Sequence, residues 1–91
     1  MNKWYVYILQ SKKDKSFYIG CTENLELRIK EHNSGLSKYT SKKIPWALKY
    51  FEELKDMKSA RSREAFLKRQ RNRKFYERLI KTQLVTPEHS G

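Results

Sequence analysis

Arg28 and His32 stand four residues apart in "NLELRIKEHNSG". On a helix that spacing puts guanidinium and imidazole on one face, where both can converge on a single ligand. The same spacing describes a solvated face with a helix-stabilising pair, and taken alone it fits that simpler alternative better. Glu64 is less ordinary, because Ala60 at i−4 and Leu67 at i+3 place it on a stripe that ought to be buried. A carboxylate there needs a cation or a metal to offset its desolvation, or its stem packs while the head reaches Arg61, Lys68 or water. Tyr7 and Tyr18 fall in two strand-like segments. Such tyrosines are packing residues in most strands, and the chemistry they permit is proton transfer. A phenol with a pKa of about 10 is a poor base at neutral pH unless cations or a metal favour its anion. Cys21, the sole cysteine, reads as a small packed side chain, since a nucleophile would need a stabilised thiolate and a neighbouring base.

Charge narrows the partner. The 91 residues carry 21 Lys+Arg against 10 Asp+Glu, a formal net charge of +11. In so small a chain this balance points to a polyanion, because each phosphate neutralised by a cation releases condensed counterions. The cations also cluster. Lys68, Arg69, Arg71, Arg73 and Lys74 form the densest run, with Phe75 and Tyr76 beside it, and Arg61 and Arg63 extend it into a phosphate-backbone track. The basic loop "GLSKYTSKKIP", which leaves room for a short helical turn, adds Lys38, Tyr39, Lys42 and Lys43 to the expected nucleic-acid surface.

The elements that must hold these residues can be read from period and punctuation. "KWYVYILQS" is a strand with Trp4, Val6 and Ile8 on one face and Tyr5, Tyr7 and Leu9 on the other; both faces are largely apolar, as in a central strand. "KKDK" is a turn and "SFYIG" the returning strand, closed by Gly20. Asn24 caps a helix through Leu25, Leu27, Ile29 and His32 that stops near Gly35, with Glu26 well placed in its first turn. "WALKYFEEL" alternates Trp46, Leu48 and Tyr50 against Ala47, Lys49 and Phe51, a third strand. Asp56 caps a helix from Met57 to Arg69, and Asn72 a last one with Phe75, Tyr76, Leu79 and Ile80 on one side. The order β-β-α-β-α-α predicts an α+β fold, a small three-stranded antiparallel sheet flanked by helices. One domain over residues 1–84 and a flexible tail over 85–91 account for the length.

A single thiol excludes an internal disulfide, and no C-x-x-C spacing supports a zinc site. No apolar stretch approaches the roughly 20 residues that span a bilayer, and the N-terminus lacks a secretion signal. A cytoplasmic protein without membrane partners is the expectation.

"YVYIL", then "YIG", then "NLELRIKEH" resemble the GIY-YIG nuclease domain, in particular the small standalone bacterial proteins related to the nuclease module of the excision-repair endonuclease. The resemblance covers nearly the whole chain, through "HNSG", "SKYTSKKIPW", "YFEEL" and "RNRKFYERLI". It implies the fold just described and a metal-dependent endonuclease, using Mg2+ or Mn2+, that hydrolyses nucleic-acid phosphodiesters, DNA ahead of RNA, in repair or other DNA processing. Tyr7 and Tyr18 match the tyrosines of the two half-motifs, Arg28 the arginine that grips the scissile phosphate, and His32 a nearby histidine. Glu64 matches the metal-binding carboxylate, and Gly20 the glycine that lets the chain turn sharply into the site. Tyr5 stands where the first half-motif opens on glycine, and Val6 where it has isoleucine. An asparagine found in some members has two weak counterparts here, Asn72 and Asn33. The rival expectations are a nucleic-acid-binding module without catalysis and, third, a domain that binds a protein partner.

Overall fold

A computed structural model describes the backbone of residues 3–90 and the side chains of residues 3–83. The elements are β1 (Trp4–Ser11), β2 (Phe17–Thr22), α1 (Leu25–Asn33), α2 (Lys38–Ser41), β3 (Trp46–Leu54), α3 (Met57–Gln70) and α4 (Arg73–Ser90). The expected order is found, and α2 is the short helical turn that the basic loop allowed. The expected tail, 85–91, lies outside the residues described with their side chains.

The strands form one antiparallel sheet in the order β2-β1-β3, with β1 central as its two apolar faces require. Val6 and Ile8 point to a core completed by Ile19, Tyr50, Ala60, Leu67 and Tyr76, against which Phe75, Leu79 and Ile80 of α4 pack. Tyr7 and Leu9 point the other way, to Trp46, Tyr18, Leu25, Ile29, Ile44 and Leu48. α3 and α4 therefore cover one face, α1 and α2 the other.

The alternation expected along β3 fails at one point. Ile8 pairs with Tyr50 but Leu9 with Leu48, so Lys49 is an extra residue in the ladder. This bulge turns Tyr50 to the opposite face from Trp46 and Leu48 instead of leaving all three together.

The helix ends are capped by the expected side chains. Asn24 Oδ1 accepts from Leu27 N at 3.0 Å, Asp56 Oδ1 from Ser59 N at 2.8 Å and Asn72 Oδ1 from Phe75 N at 3.2 Å. Past α1, Gly35 takes φ +85, the left-handed conformation that ends a helix. The outer edge of β3 is closed by Gln83 of α4, whose amide donates to Phe51 O at 2.7 Å and accepts from Phe51 N at 3.1 Å, replacing a neighbouring strand's peptide. The other edge, β2, carries the candidate site.

Candidate active site

Tyr7 of β1 pairs with Gly20 of β2, and its ring lies across that position. A Cβ on Gly20 would meet the Tyr7 hydroxyl at 2.5 Å and Cζ at 2.8 Å. Gly20 is thus needed for space: it lies within β2, and among the described glycines the positive φ belongs to Gly35. The expectation that Gly20 closes the strand and turns the chain into the site is corrected on this point. Its missing side chain is the slot through which the Tyr7 phenol reaches the sheet edge.

Tyr18, opposite Leu9, lies on the same face as Tyr7, with ring centroids 6.4 Å apart. His32, on the buried stripe of α1 with Leu25 and Ile29, is 0% exposed. Its Nε2 lies 3.1 Å from Tyr7 Oη and its Nδ1 lies 2.9 Å from Thr40 Oγ1 of α2. The solvated Arg28/His32 face is therefore not what forms. His32 is interior, while Arg28 sits half-buried at the rim, donating to Glu31 Oε1 at 2.9 Å.

Burial pushes the Tyr7 phenol up to about 12, while the Arg28 guanidinium works against that shift. Burial, with Arg28 second, holds His32 below its ordinary value, so the imidazole is neutral at pH 7. Glu31, to which the guanidinium is bonded, raises Arg28. His32 reaches the Tyr7 oxygen, and the Arg28 guanidinium at the rim favours the ionised phenol.

Glu64 approaches the same stretch of β2 from the opposite side. Neighbouring strand residues face opposite ways, so Gly20 takes Tyr7 on one face while Cys21 meets α3 on the other. Cys21 Sγ–H donates to Glu64 Oε1 at 3.1 Å, and burial, then this carboxylate, raises the thiol to about 11. Lys68 Nζ donates to Glu64 Oε2 at 2.8 Å. Of the partners considered from sequence, Lys68 is the one Glu64 takes; the thiol gave no signal, because no local pattern links positions 21 and 64.

Among the described residues no three His, Cys, Asp or Glu side chains gather to hold a metal. Glu64 is the carboxylate that a hard divalent cation at this edge would have to use. Its carboxylate is 19% exposed at the edge, and the Lys68 ammonium already occupies a cation's place beside it. One carboxylate completed by water and phosphate oxygens suits Mg2+.

Two clefts of about 500 Å3 each flank this edge. Cys21, Asn24, Arg28, Glu31 and Arg61 line one, and Phe17, Tyr18, Tyr39, Lys68 and Tyr76 the other. Tyr39 is 80% exposed, its ring 5.9 Å from that of Tyr18.

The expected basic track divides. Lys38, Lys42, Arg61, Arg69 and Arg71 are exposed, and Arg71 ends α3 in the left-handed conformation. Lys43 is half-buried and paired with Asp14 at 3.4 Å. Arg63 leaves the track: its guanidinium donates to both oxygens of Glu52 on β3, since it lies two residues past Arg61 and so on another side of α3. Arg73 is likewise committed, to Glu77, to Lys15 O and over the Phe17 ring. Neither asparagine belongs to the site. Asn33 clamps the start of β3 through Trp46 N and O, and Asn72 caps α4. Thr40 was not foreseen, because it lies in a loop without periodicity.

Comparison with known proteins agrees with this geometry. The family described as the GIY-YIG catalytic domain matches residues 3–78. The chain is 45% identical over 87 residues to a UPF0213 protein of Clostridium perfringens, covering 93% of this chain and 90% of that one. It is 42% identical over 71 residues to a UPF0213 protein of Syntrophus aciditrophicus, covering 76% and 80%. The solution NMR structure of a UPF0213 protein from Bacillus halodurans superposes with a TM-score of 0.57 at 32% identity, covering 97% of this chain and 93% of that one. Matches of this extent, on a sheet edge built as described, lead to one conclusion: the chain belongs to the GIY-YIG domain family, within the group named UPF0213.

Proposed function

We propose that the chain is a divalent-metal-dependent endonuclease, related to the nuclease module of the excision-repair endonuclease, that hydrolyses phosphodiester bonds of DNA in preference to RNA. It would serve DNA repair or processing in the cytoplasm. The observation that carries the reading is the wrapping of β2: a phenol slotted over Gly20 from one face and a carboxylate meeting Cys21 from the other.

In this reading Tyr7, once ionised, takes a proton from the attacking water as the water oxygen bonds to phosphorus and the bond to the 3′ oxygen breaks. Arg28 offsets charge growing on the phosphate, and half-buried Tyr18 hydrogen-bonds it. Mg2+ or Mn2+ on Glu64 would polarise the phosphate, offset charge on the departing oxygen and favour the Tyr7 anion. Lys38, Lys42, Arg61, Arg69 and Arg71 contact neighbouring phosphates, and Tyr39 offers a ring to a base or sugar.

Cleavage of single-stranded, duplex and branched DNA and RNA, with Mg2+ or Mn2+, tests it. Wild type cuts, and Glu64→Ala cuts roughly a thousandfold more slowly. Equal rates for the two proteins would overturn the assignment of Glu64. The engagement of both Glu64 oxygens, by Lys68 and Cys21, favours a second reading, a binding module without turnover. Salt-dependent binding with no cleavage under any condition would select it.

A further inference from the structure

We infer that Lys15 and Arg71 form a second phosphate-binding corner, which holds nucleic-acid backbone flanking the bond at the candidate site. Lys15, with φ 67, and Arg71, with φ 43, are the non-glycine residues that the described backbone holds in the left-handed region. That conformation penalises any residue with a Cβ, whereas glycine adopts it freely. In both places the fold uses the backbone alone. Lys15 closes the turn between β1 and β2: its N–H donates to Ser11 O at 2.9 Å, and its carbonyl accepts from Gln10 Nε2 at 3.1 Å and from Arg73 Nη2 at 2.7 Å. Arg71 ends α3 and hands the chain to Asn72, the cap of α4. Both side chains are exposed, and among the described residues neither makes a hydrogen bond or an ion pair. Glycine at either position would serve the turn with less strain. What lysine and arginine add is a free positive charge.

Arg73 brings the two turns together. From two residues beyond Arg71 its guanidinium reaches the Lys15 carbonyl, lies over the Phe17 ring at 4.7 Å and pairs with Glu77 at 3.3 Å. Asp14, the carboxylate next to Lys15, accepts from Ser16 and pairs with Lys43. The acids of the corner are thus offset by other groups, and Lys15 and Arg71 are left to an outside anion.

The class of ligand follows from charge and place. Phe17, under Arg73, also lines the aromatic cleft with Tyr18, Tyr39, Lys68 and Tyr76. Cys21, where Glu64 meets β2, lies four residues further along the strand, about 13 Å at the rise of a β-strand. A phosphate at the corner is therefore a neighbour of the one beside Glu64, on a nucleic-acid strand that crosses the cleft. An unpartnered guanidinium and ammonium suit such phosphodiesters, and each contact releases counterions. The inference rests on nucleic-acid binding, which the nuclease and binding-module readings share, and not on cleavage.

Anisotropy of fluorescent DNA oligonucleotides, single-stranded and duplex, titrated with the full chain in EDTA over a salt series tests it, beside thermal melting. The double variant Lys15→Gly/Arg71→Gly should melt about 5 °C above wild type, because strain is relieved. It should bind on the order of tenfold more weakly, with a logarithmic salt dependence shallower by roughly 1.5 units. Lys15→Gln/Arg71→Gln keeps the strain and loses the charge, so it should bind as weakly without melting higher. Lys55→Gln/Lys58→Gln removes the same charge at the start of α3, about 20 Å of helix from Arg71 and beyond the Debye length, and should bind within about threefold of wild type. Corner variants that bind no more weakly than this control overturn the inference, as does a glycine variant that melts no higher than wild type. In an active enzyme the corner variants raise KM and spare kcat, since the phosphate they release is not the reacting one. If they weaken binding while wild type cuts nothing with Mg2+ or Mn2+, the corner stands and the nuclease reading fails. If wild type cuts and the corner variants bind and cut as it does, the reverse holds.

Discussion

On the face covered by α3 and α4, Val6, Ile8, Ile19, Leu67 and Tyr76 bury hydrocarbon against hydrocarbon, whereas on the face covered by α1 and α2 the same central strand sets Tyr7 against His32 and Thr40. The first face asks of its residues chiefly shape and volume, with Tyr76 Oη donating to Leu67 O at 2.7 Å and Tyr50 Oη donating to Glu52 Oε2. The second buries a phenol, an imidazole and a hydroxyl that must satisfy one another, so a change in any one is felt by the others. Glu64 belongs to neither. It grows from the helix of the apolar face and ends at the strand edge, where the polar face delivers Tyr7.

The division predicts which property each face controls. On the proposed nuclease reading, Glu64→Ala should lower cleavage roughly a thousandfold. Its melting temperature falls modestly, because the lost pair with Lys68, 55% exposed on the lysine side, is worth about 0–1 kcal/mol and the lost bond from the Cys21 thiol about 0.5–1.5 kcal/mol. Leu67→Ala does the reverse, costing about 2–5 kcal/mol of stability while the folded fraction keeps its rate. Denaturant titration beside cleavage assays checks both. If Leu67→Ala lost activity per folded molecule as steeply as Glu64→Ala, the two faces would not be functionally separate.

Gly20→Ala tests the slot between them. The added Cβ would lie 2.5 Å from the Tyr7 hydroxyl, and forcing it in costs about 1–3 kcal/mol and displaces the phenol. Tyr7→Phe deletes that hydroxyl, so the double variant should be less destabilised than the sum of the singles, with the Cζ contact at 2.8 Å keeping the rescue partial. Strict additivity in a double-mutant cycle would show that Gly20 is retained for some other reason.

A smaller effect separates the faces by pH. Burial, then Arg28, holds the folded pKa of His32 below the 6.5 of a free imidazole. The unfolded chain therefore binds this proton first as pH drops. Stability from neutral His32 is fully present above 6.5, is lost as pH falls through the interval below it, and levels off once the native ring also protonates. Denaturation midpoints between pH 7 and 5 should fall more steeply for wild type than for His32→Gln. Parallel slopes would mean that folding does not lower the pKa of the imidazole.

What could be read in advance follows the same division. The apolar face was legible because periodicity reports burial directly: the α4 stripe of Phe75, Tyr76, Leu79 and Ile80 and the bounds of β3 were found where expected. So was the off-pattern Glu64, since a carboxylate on an apolar stripe breaks that periodicity. The resemblance supplied the proposed roles of Tyr7, Tyr18, Arg28 and His32, which spacing alone left open. What escaped depends on contacts between distant segments. The bulge at Lys49 is a property of pairing with β1, the bond from Arg63 to Glu52 joins α3 to β3, and the Thr40 contact with His32 joins α2 to α1. Gly20 was noticed for its backbone, yet its function lies in the phenol that crosses it.

Lys68 offers the finest probe of the boundary, because its ammonium stands against Glu64 Oε2 at 2.8 Å while its stem lines the aromatic cleft. On the proposed reading a divalent cation arriving at Glu64 would have to displace that ammonium, whereas an arriving phosphate would keep it nearby. Lys68→Gln should therefore leave stability within about 1 kcal/mol of wild type. It should tighten Mn2+ binding, measured by calorimetry without nucleic acid, on the order of tenfold. The same variant should bind nucleic acid more weakly, with the logarithmic salt dependence shallower by about one unit. Opposite signs for the two ligands place Lys68 between the metal and phosphate positions. Weaker binding of both would make Lys68 a support for Glu64 and remove the competition between ammonium and metal.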